Sequence, residues 1–352
     1  MLPRTMKAVL LTGHGDTDRL SFREDVPVPV PAAGEVLVEV GAAGLNNTDV
    51  NLRVGWYSKA SGKTLDVAAA DAGWTGTPLS FPRIQGADAC GRIVAVGDGV
   101  DRQRIGERIL VNPVFYPAAA DRPATPRYFG SDCDGAFAGF ACVPAANAVA
   151  VQSSLSDAEL ASFPCAYLAA ENMLTRASVA AGDTVLVTGA SGGVGSAAVQ
   201  LAHRRGATVV AVVAGAKARA VEALGADRVV ARGTDLAAAL GRDVVTVVID
   251  VVGGDQFPVL LGLLAREGRY AVAGAIAGAD VALDLRTLYL KDLALFGCTI
   301  PAPGVFETLV RHIERGEIRP LVSAKYALRD MAAAQADFLR KSHVGKIVLV
   351  PD

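Results

Sequence analysis

Aromatic residues make up only 6% of this 352-residue chain, and charged residues only 20%. The charges nearly cancel: 34 Lys and Arg against 36 Asp and Glu give a formal net charge of −2, with no run of one sign. A nucleic-acid groove or a polybasic membrane patch needs clustered cations, so neither is expected. Cysteine is scarce as well. Cys90, Cys133, Cys142, Cys165 and Cys298 are odd in number and scattered, with no Cys-x-x-Cys pair. That is neither a disulfide framework nor a structural zinc site. Long apolar runs are missing too. Gly135–Ser156 and Thr184–His203 carry no Asp, Glu, Lys or Arg, but Pro144, Asn147 and Gln152 interrupt the first and a glycine-rich turn interrupts the second. Neither reads as a membrane span. The N-terminus, Met1-Leu-Pro-Arg-Thr-Met-Lys-Ala-Val-Leu-Leu11, lacks the apolar core and small-residue cleavage site of a secretory signal and reads as a first strand. A cytoplasmic protein is expected.

What is abundant is small and apolar. Hydrophobic residues reach 51%, dominated by Ala and Val, beside 37 Gly. This composition suits a sheet with closely packed helices, and the length suggests two domains. The first third is β-rich. Glu35–Val40 alternates polar and apolar as a half-buried strand does, Arg92–Gly97 and Glu107–Val111 read as further strands, and the alternate prolines of Val26–Pro31 predict an extended connector. The middle changes rhythm. Strands are expected at Thr184–Thr188, Thr208–Val213, Arg228–Val230, Val244–Val251 and Arg269–Ala273, separated by helical stretches. Alternation of that kind implies right-handed crossovers and a doubly wound parallel α/β sheet of the Rossmann type. The tail breaks the rhythm, with helices near Gly304–Arg315 and Asp330–Lys341 and a last strand at Gly345–Val350. Two segments punctuated by Pro and Gly, Gly55–Pro82 and Asn112–Phe129, read as long loops.

The strongest motif is Val187-Thr-Gly-Ala-Ser-Gly-Gly-Val-Gly195, which follows a strand and opens a helix. A dinucleotide pyrophosphate sits on free backbone N–H groups at such a helix start, where side chains would block its approach. Ser191, Gly192, Gly193, Val194 and Gly195 are therefore the core of the cofactor set, with Gly195 letting helix and strand pack closely. NAD enzymes place Asp or Glu at the end of the second strand to hold the ribose 2′-hydroxyl. Here Val213 runs into Ala214-Gly-Ala-Lys217 with no carboxylate, and Arg232 follows the third strand. A 2′-phosphate would be welcome beside Lys217 or Arg232, so NADPH is favoured over NADH. Ala214, Gly215, Lys217 and Arg232, with Val252 and Ala273 at the ends of the next two strands, complete the expected cofactor residues.

Val36-Leu-Val-Glu-Val, Gly44-Leu-Asn-Asn-Thr-Asp49, Gly86-Ala-Asp88, Gly91-Arg-Ile-Val-Ala-Val-Gly97, Gly106-Glu-Arg108 and Gly345-Lys-Ile-Val-Leu follow one another in the order of the medium-chain dehydrogenase/reductase superfamily, which the chain resembles over nearly its whole length. The resemblance implies a GroES-like catalytic domain at 1–150, a Rossmann NADP-binding domain at 151–299 and a return to the catalytic domain at 300–352. Zinc alcohol dehydrogenases of this superfamily carry Cys in the first of these motifs, Gly-His-Glu in the second and a further Cys before the domain-crossing helix. The matching residues here are Asn46, Ala87 and Cys165. One soft ligand does not hold a catalytic zinc, so no metal is expected. The closer resemblance is to the zinc-free branch, which contains NADPH quinone oxidoreductases and enone and enoyl reductases. In those quinone oxidoreductases an Asn in the first motif and a Tyr shortly after it lie near the nicotinamide and substrate, which implies catalytic roles for Asn46 and Tyr57. Relatives pair the last Rossmann strand across a two-fold axis, which implies a homodimer through the apolar Leu293–Cys298 segment.

Without a metal, hydride transfer suits an acceptor whose charge is spread, such as a conjugated carbonyl or a quinone. The developing enolate would need a donor: the Asn46 amide, the Tyr57 hydroxyl or a backbone N–H. Each residue has a plainer reading. Asn46 also suits a helix cap, Tyr57 a packing tyrosine, Asp49 a cap and Lys346 a solvated strand residue. His14, His203, His312 and His343 show no ligand spacing, and no catalytic triad signal is present. An alcohol dehydrogenase acting on ketones, a cofactor-binding protein without catalysis and a dedicated biosynthetic step remain as alternatives.

Overall fold

The computed structural model describes residues 2–58, 71–116 and 126–351. Of the two segments expected as long loops, 59–70 and 117–125 lie outside the described residues. The chain forms two compact units. One contains Met1–Cys165, Pro320–Ser342 and Lys346–Asp352; the other contains Ala166–Arg319 and His343–Gly345. The crossings at Cys165/Ala166 and Arg319/Pro320 lie later than the expected 150/151 and 299/300. Hydrogen bonds account for the shift. The helix Pro164–Arg176 places the buried Tyr167 so that its hydroxyl donates to the Arg319 carbonyl and accepts from Gln200 Nε2, both at 2.8 Å. Both ends of the second unit are thereby tied to its helix Gly193–Arg204.

The first unit is built on strands β1 (Thr5–Leu11), β2 (Leu20–Pro27), β3 (Glu35–Gly44), β4 (Arg83–Ile84), β5 (Cys90–Val96), β6 (Arg108–Val111), β7 (Val114–Phe115), β8 (Arg127–Tyr128), β9 (Phe140–Pro144) and β10 (Ala148–Ala150). β3 continues past its alternating stretch to Gly44 because the small residues of its second half admit close neighbours. A Cβ on Gly41 would lie 2.2 Å from Asp157 Oδ2, and one on Gly44 would lie 2.4 Å from Asp88 Oδ2. The helix Asn47–Arg53 follows at once.

The second unit holds β11 (Thr184–Val187), β12 (Thr208–Val213), β13 (Arg228–Ala231), β14 (Val245–Asp250), β15 (Leu264–Val272) and β16 (Ala294–Gly297) in the order β13-β12-β11-β14-β15-β16, with every neighbouring pair parallel. The doubly wound sheet expected from the alternation is present. Beyond β15 the helix Leu285–Leu290 leads into β16, a sixth, edge strand that falls within the Leu293–Cys298 segment implied as the last strand of this sheet. Leu186, Val210, Val212, Val248, Leu260, Leu261 and Tyr270 belong to its core. Strand order reverses between β11 and β14, the point where open α/β sheets receive ligands outside the carboxyl ends of their strands.

The tail supplies β17 (Val322–Ala327) and β18 (Lys346–Val350), parallel to each other, with β18 antiparallel to β3. They complete a first-unit sheet in the order β10-β6-β5-β3-β18-β17, to which β9 adds on β3. The alternation in β17 is weak, and it has no counterpart among the expected strands. Among the described residues no helix is long and apolar enough to cross a membrane.

Candidate active site

In the second unit, every expected cofactor residue falls just beyond the carboxyl end of a parallel strand or, for Gly193, Val194 and Gly195, in the first turn of the helix that follows one. β11 runs into the fingerprint turn, and Gly192 precedes a helix whose N-terminus no side chain caps. A Cβ on Gly192 would meet nothing closer than Gly189 O at 3.5 Å, so the space above this turn is left open. Gly195 is the opposite case. Its Cβ would lie 2.3 Å from Gly189 O, so it is glycine that brings the helix onto the turn. Ser191 is also held from the tail, its carbonyl accepting the Gly345 N–H at 2.9 Å. Ala214 and Gly215 follow β12, and Lys217 Nζ reaches the His343 carbonyl at 2.8 Å and Ser191 Oγ at 3.5 Å. Arg232 follows β13, and its guanidinium joins burial in lowering the Lys217 pKa. Two cations thus share the end of β12 and β13 with the fingerprint serine. Val252 and Ala273 follow β14 and β15. An open helix start and a bare glycine turn fit the pyrophosphate of a dinucleotide.

The first unit holds a buried polar cluster. Asn46 caps the helix Asn47–Arg53, and its backbone N–H donates to Asp49 Oδ2 at 2.8 Å. The cap reading of Asp49 is what the geometry shows. The Asn46 side chain turns inward: Nδ2 donates to Asp88 Oδ2 at 3.0 Å and to Gly44 O at 3.3 Å, and Oδ1 accepts from Lys346 Nζ at 2.5 Å. Chemistry fixes that amide orientation, because an ammonium only donates and a carboxylate only accepts. Lys346 is 3% exposed, not solvated, and its ammonium also binds Asp88 Oδ2 and Leu45 O, each at 2.8 Å. Its three donors are met by three acceptors. Asp88, fully buried, takes its last strong bond from the Cys165 N–H at 2.5 Å.

Around this cluster stand hydroxyls and rings. Tyr57 OH donates to Thr48 Oγ1 at 3.4 Å, and burial raises its pKa, so it stays protonated. Tyr128 lies 3.1 Å from Cys165 Sγ and stacks on Trp74, with ring centroids 4.2 Å apart. Tyr57 and Trp74 pack against the same small apolar group of Leu11, Leu52 and Leu79. Of the residues implied as catalytic, Tyr57 offers a hydroxyl, whereas both N–H groups of the Asn46 amide are committed to Asp88 and Gly44. Lys346, Asp88, Thr48, Trp74 and Tyr128 were not among the expected site residues. For Lys346 the available signal was its place in an otherwise apolar last strand.

A zinc ion does not fit these residues. Among the described residues no three His, Cys, Asp or Glu side chains are grouped to hold a metal. Ala87 stands where the ligand His would be, and Asp88 is bound to an ammonium, which leaves Cys165 as the one matching ligand.

Comparison with known families agrees with the two-part architecture. Residues 32–153 match the alcohol dehydrogenase GroES-like domain, and residues 193–315 match the zinc-binding dehydrogenase family. A solved structure from Sinorhizobium meliloti 1021, described only as a candidate alcohol dehydrogenase, is 51% identical over 100% of this chain and 98% of its own, with a TM-score of 0.92. An acryloyl-coenzyme A reductase from Metallosphaera sedula is 29% identical over 98% of this chain and 99% of its own length. A quinone oxidoreductase from Lama guanicoe is 27% identical over 99% and 98%. The chain belongs to the medium-chain dehydrogenase/reductase superfamily, a family of oxidoreductases that use a nicotinamide dinucleotide.

Two predictions follow from the cluster. Lys346→Met strands the Asp88 charge and is expected to cost about 3–5 kcal/mol in urea unfolding. Adding Asp88→Asn should restore much of that loss; simple additivity of the two changes would contradict the coupling. Burial raises Asp49 from the ordinary 3.8 to about 7, against the pull of its backbone donors and Lys346. A carboxyl whose folded value lies above its unfolded one gives stability that is full below about pH 3.8 and lost as pH rises through about 7. Asp49→Asn should flatten the stability curve across that window, and an unchanged slope would speak against the burial effect.

Proposed function

We propose that this chain is a zinc-independent, NADPH-dependent reductase that passes hydride to a conjugated carbonyl compound, an enone or enoyl group, or to a quinone. The observation that carries the reading is the buried Lys346–Asp88–Asn46 cluster, in which an ammonium holds the carboxylate and Ala87 replaces a ligand. Such a site favours acceptors that spread their own charge, because a simple ketone develops a far more basic alkoxide. The names of the acryloyl-coenzyme A reductase and quinone oxidoreductase relatives support the same acceptor class. Lys217, Ser191 and Arg232 support a 2′-phosphate, since an anion there relieves the repulsion between two cations.

When bound, the nicotinamide supplies the hydride. The protein's part is to orient and to stabilise. A hydride delivered to the substrate β-carbon would leave the charge on the carbonyl oxygen, as enolate. The Tyr57 hydroxyl, kept protonated by burial, would turn its one O–H from Thr48 Oγ1 to that oxygen, and a proton from Tyr57 or water, replaced from solvent, would complete the addition at carbon. Asn46 acts as a positioning residue, fixing Asp88 and the start of the helix Asn47–Arg53. A second reading, reduction of simple ketones, is favoured by the description of the 51% identical Sinorhizobium meliloti structure.

The deciding experiment is turnover of the purified chain with NADPH on enones, enoyl thioesters, quinones and ketones. Conjugated acceptors are expected to lead, with Tyr57→Phe lowering kcat by about 10–100-fold. Turnover of ketones alone would reverse the assignment to the second reading, and binding of NADPH with no turnover would indicate a protein without catalysis. Lys217→Ala should weaken NADPH by about tenfold or more and leave NADH nearly unchanged; equal losses would reject the phosphate contact.

A homodimer through β16 is part of the same proposal. This edge strand lies beside the exposed Leu285, Tyr289 and Leu290 of the preceding helix. Light scattering should give twice the 36.2 kDa chain mass, whereas a monomer at micromolar concentration would oppose it.

A further inference from the structure

The catalytic reading leaves the most deeply buried carboxylate of the second unit, Asp250, unused. Asp250 ends β14, is 0% exposed and accepts from four residues. Thr188 Oγ1 donates to Oδ1 at 2.5 Å, the Val252 N–H to Oδ1 at 2.9 Å and the Gly253 N–H to both oxygens at 3.2 and 3.1 Å, and the Tyr270 hydroxyl donates to Oδ2. Thr188 Oγ1 in turn accepts the Val251 N–H at 3.1 Å. The carboxylate therefore joins the residue after β11, the whole turn after β14 and a side chain of β15.

This junction lies where the strand order reverses, and its neighbours are cofactor residues. The Ala273 N–H donates to the Asp250 carbonyl at 3.2 Å, and Val252 is one of the residues that the carboxylate holds. The fingerprint turn leans on the same loop: a Cβ on Gly189 would lie 3.1 Å from Val252 Cγ2 and 3.2 Å from Val251 Cγ2. The loop itself is demanding. Gly253 and Gly254 take φ of +66° and +69°, where L side chains are disfavoured, so something must hold it in shape. An apolar side chain at 250 would leave the Thr188 and Tyr270 hydroxyls and two N–H groups without acceptors.

The geometry points to Asp250, acting through Thr188 and Tyr270, as a positioning residue for the nicotinamide half of the dinucleotide. The two halves of a doubly wound sheet each take one mononucleotide. Lys217 and Arg232, on the β12–β13 side, mark the adenosine half, so the β14–β15 side that Asp250 organises serves the other. The inference rests on the cofactor reading above, and it assigns to Asp250 and Tyr270, outside the fingerprint, and to Thr188 at its start, the task of keeping the nicotinamide floor in one conformation.

The test is binding, followed by dihydronicotinamide fluorescence and calorimetry, with thermal unfolding in parallel. Tyr270→Phe and Thr188→Val each delete one donor, and Asp250→Asn replaces the acceptor. Tyr270→Phe and Thr188→Val are expected to fold and to raise the NADPH Kd by about tenfold, with Asp250→Asn weaker still. Adenosine 2′,5′-bisphosphate, which carries only the adenosine half, should bind each variant within about twofold of the parent. If Asp250→Asn does not fold, the two donor deletions decide the matter. NADPH affinity equal to the parent in folded variants, or equal losses for NADPH and the bisphosphate, would overturn the assignment. Failure of the parent chain to bind NADPH or NADH would instead overturn the cofactor reading on which it rests.

Discussion

Lys346 gives up its hydration to sit among Leu45 O, Asn46 Oδ1 and Asp88 Oδ2, and the rest of the first unit's site is arranged around that ammonium. Burying a charge is costly unless every donor and acceptor is met, and here each of the three N–H groups has an oxygen within 2.8 Å. The cluster draws on β3, β5's approach, the start of the helix Pro164–Arg176 and the last strand. Gly44 makes it possible, since a Cβ there would collide with Asp88 Oδ2 at 2.4 Å and with the Ala161 carbonyl at 2.6 Å. Such a network contributes little net stability, but it admits one arrangement of Asn46, Asp88 and Cys165. The Asp88 carboxylate is thereby already engaged by an internal cation.

The same stretch of chain serves the second unit. The Gly345 N–H pairs with the Ser191 carbonyl of the fingerprint turn, the His343 carbonyl accepts Lys217, and the very next residue after Gly345 carries the buried ammonium. The segment His343–Lys346 is therefore constrained residue by residue. Glycine at 345 has φ of +82°, which lets the chain leave the turn and enter β18. Polar constraint helps to set the local conformation in both units: Asp88 and Asp250 are fully buried carboxylates, the first holding the Cys165 N–H at a helix start and the second the N–H groups of the loop after β14.

The Rossmann half was largely legible in the sequence because its signals are local. β12 spans Thr208–Val213 as its apolar run predicts, and Gly192 and Gly195 do the different jobs that an open turn and a close helix contact require. What was not legible depends on partners far apart in the chain. Lys346 reads as a solvated strand residue until residues 45, 46 and 88 are brought to it. The Asn46 amide reads as a donor to substrate until Asp88 and Gly44 are seen to take its N–H groups. Asp250 looks like an ordinary strand end, and nothing near it in sequence announces Tyr270 or Thr188. The strand β17 escaped because its parallel pairing with β18 supplies the order that its own weak alternation does not.

The central proposal is that an internal ammonium takes the place of a metal ion. Metal content of the chain, purified after growth with added zinc and cobalt, tests it most directly. Far less than one transition-metal ion per chain, with turnover unaffected by prolonged chelation, is the expected result. One ion per chain, with turnover lost on its removal and regained on its return, would contradict it.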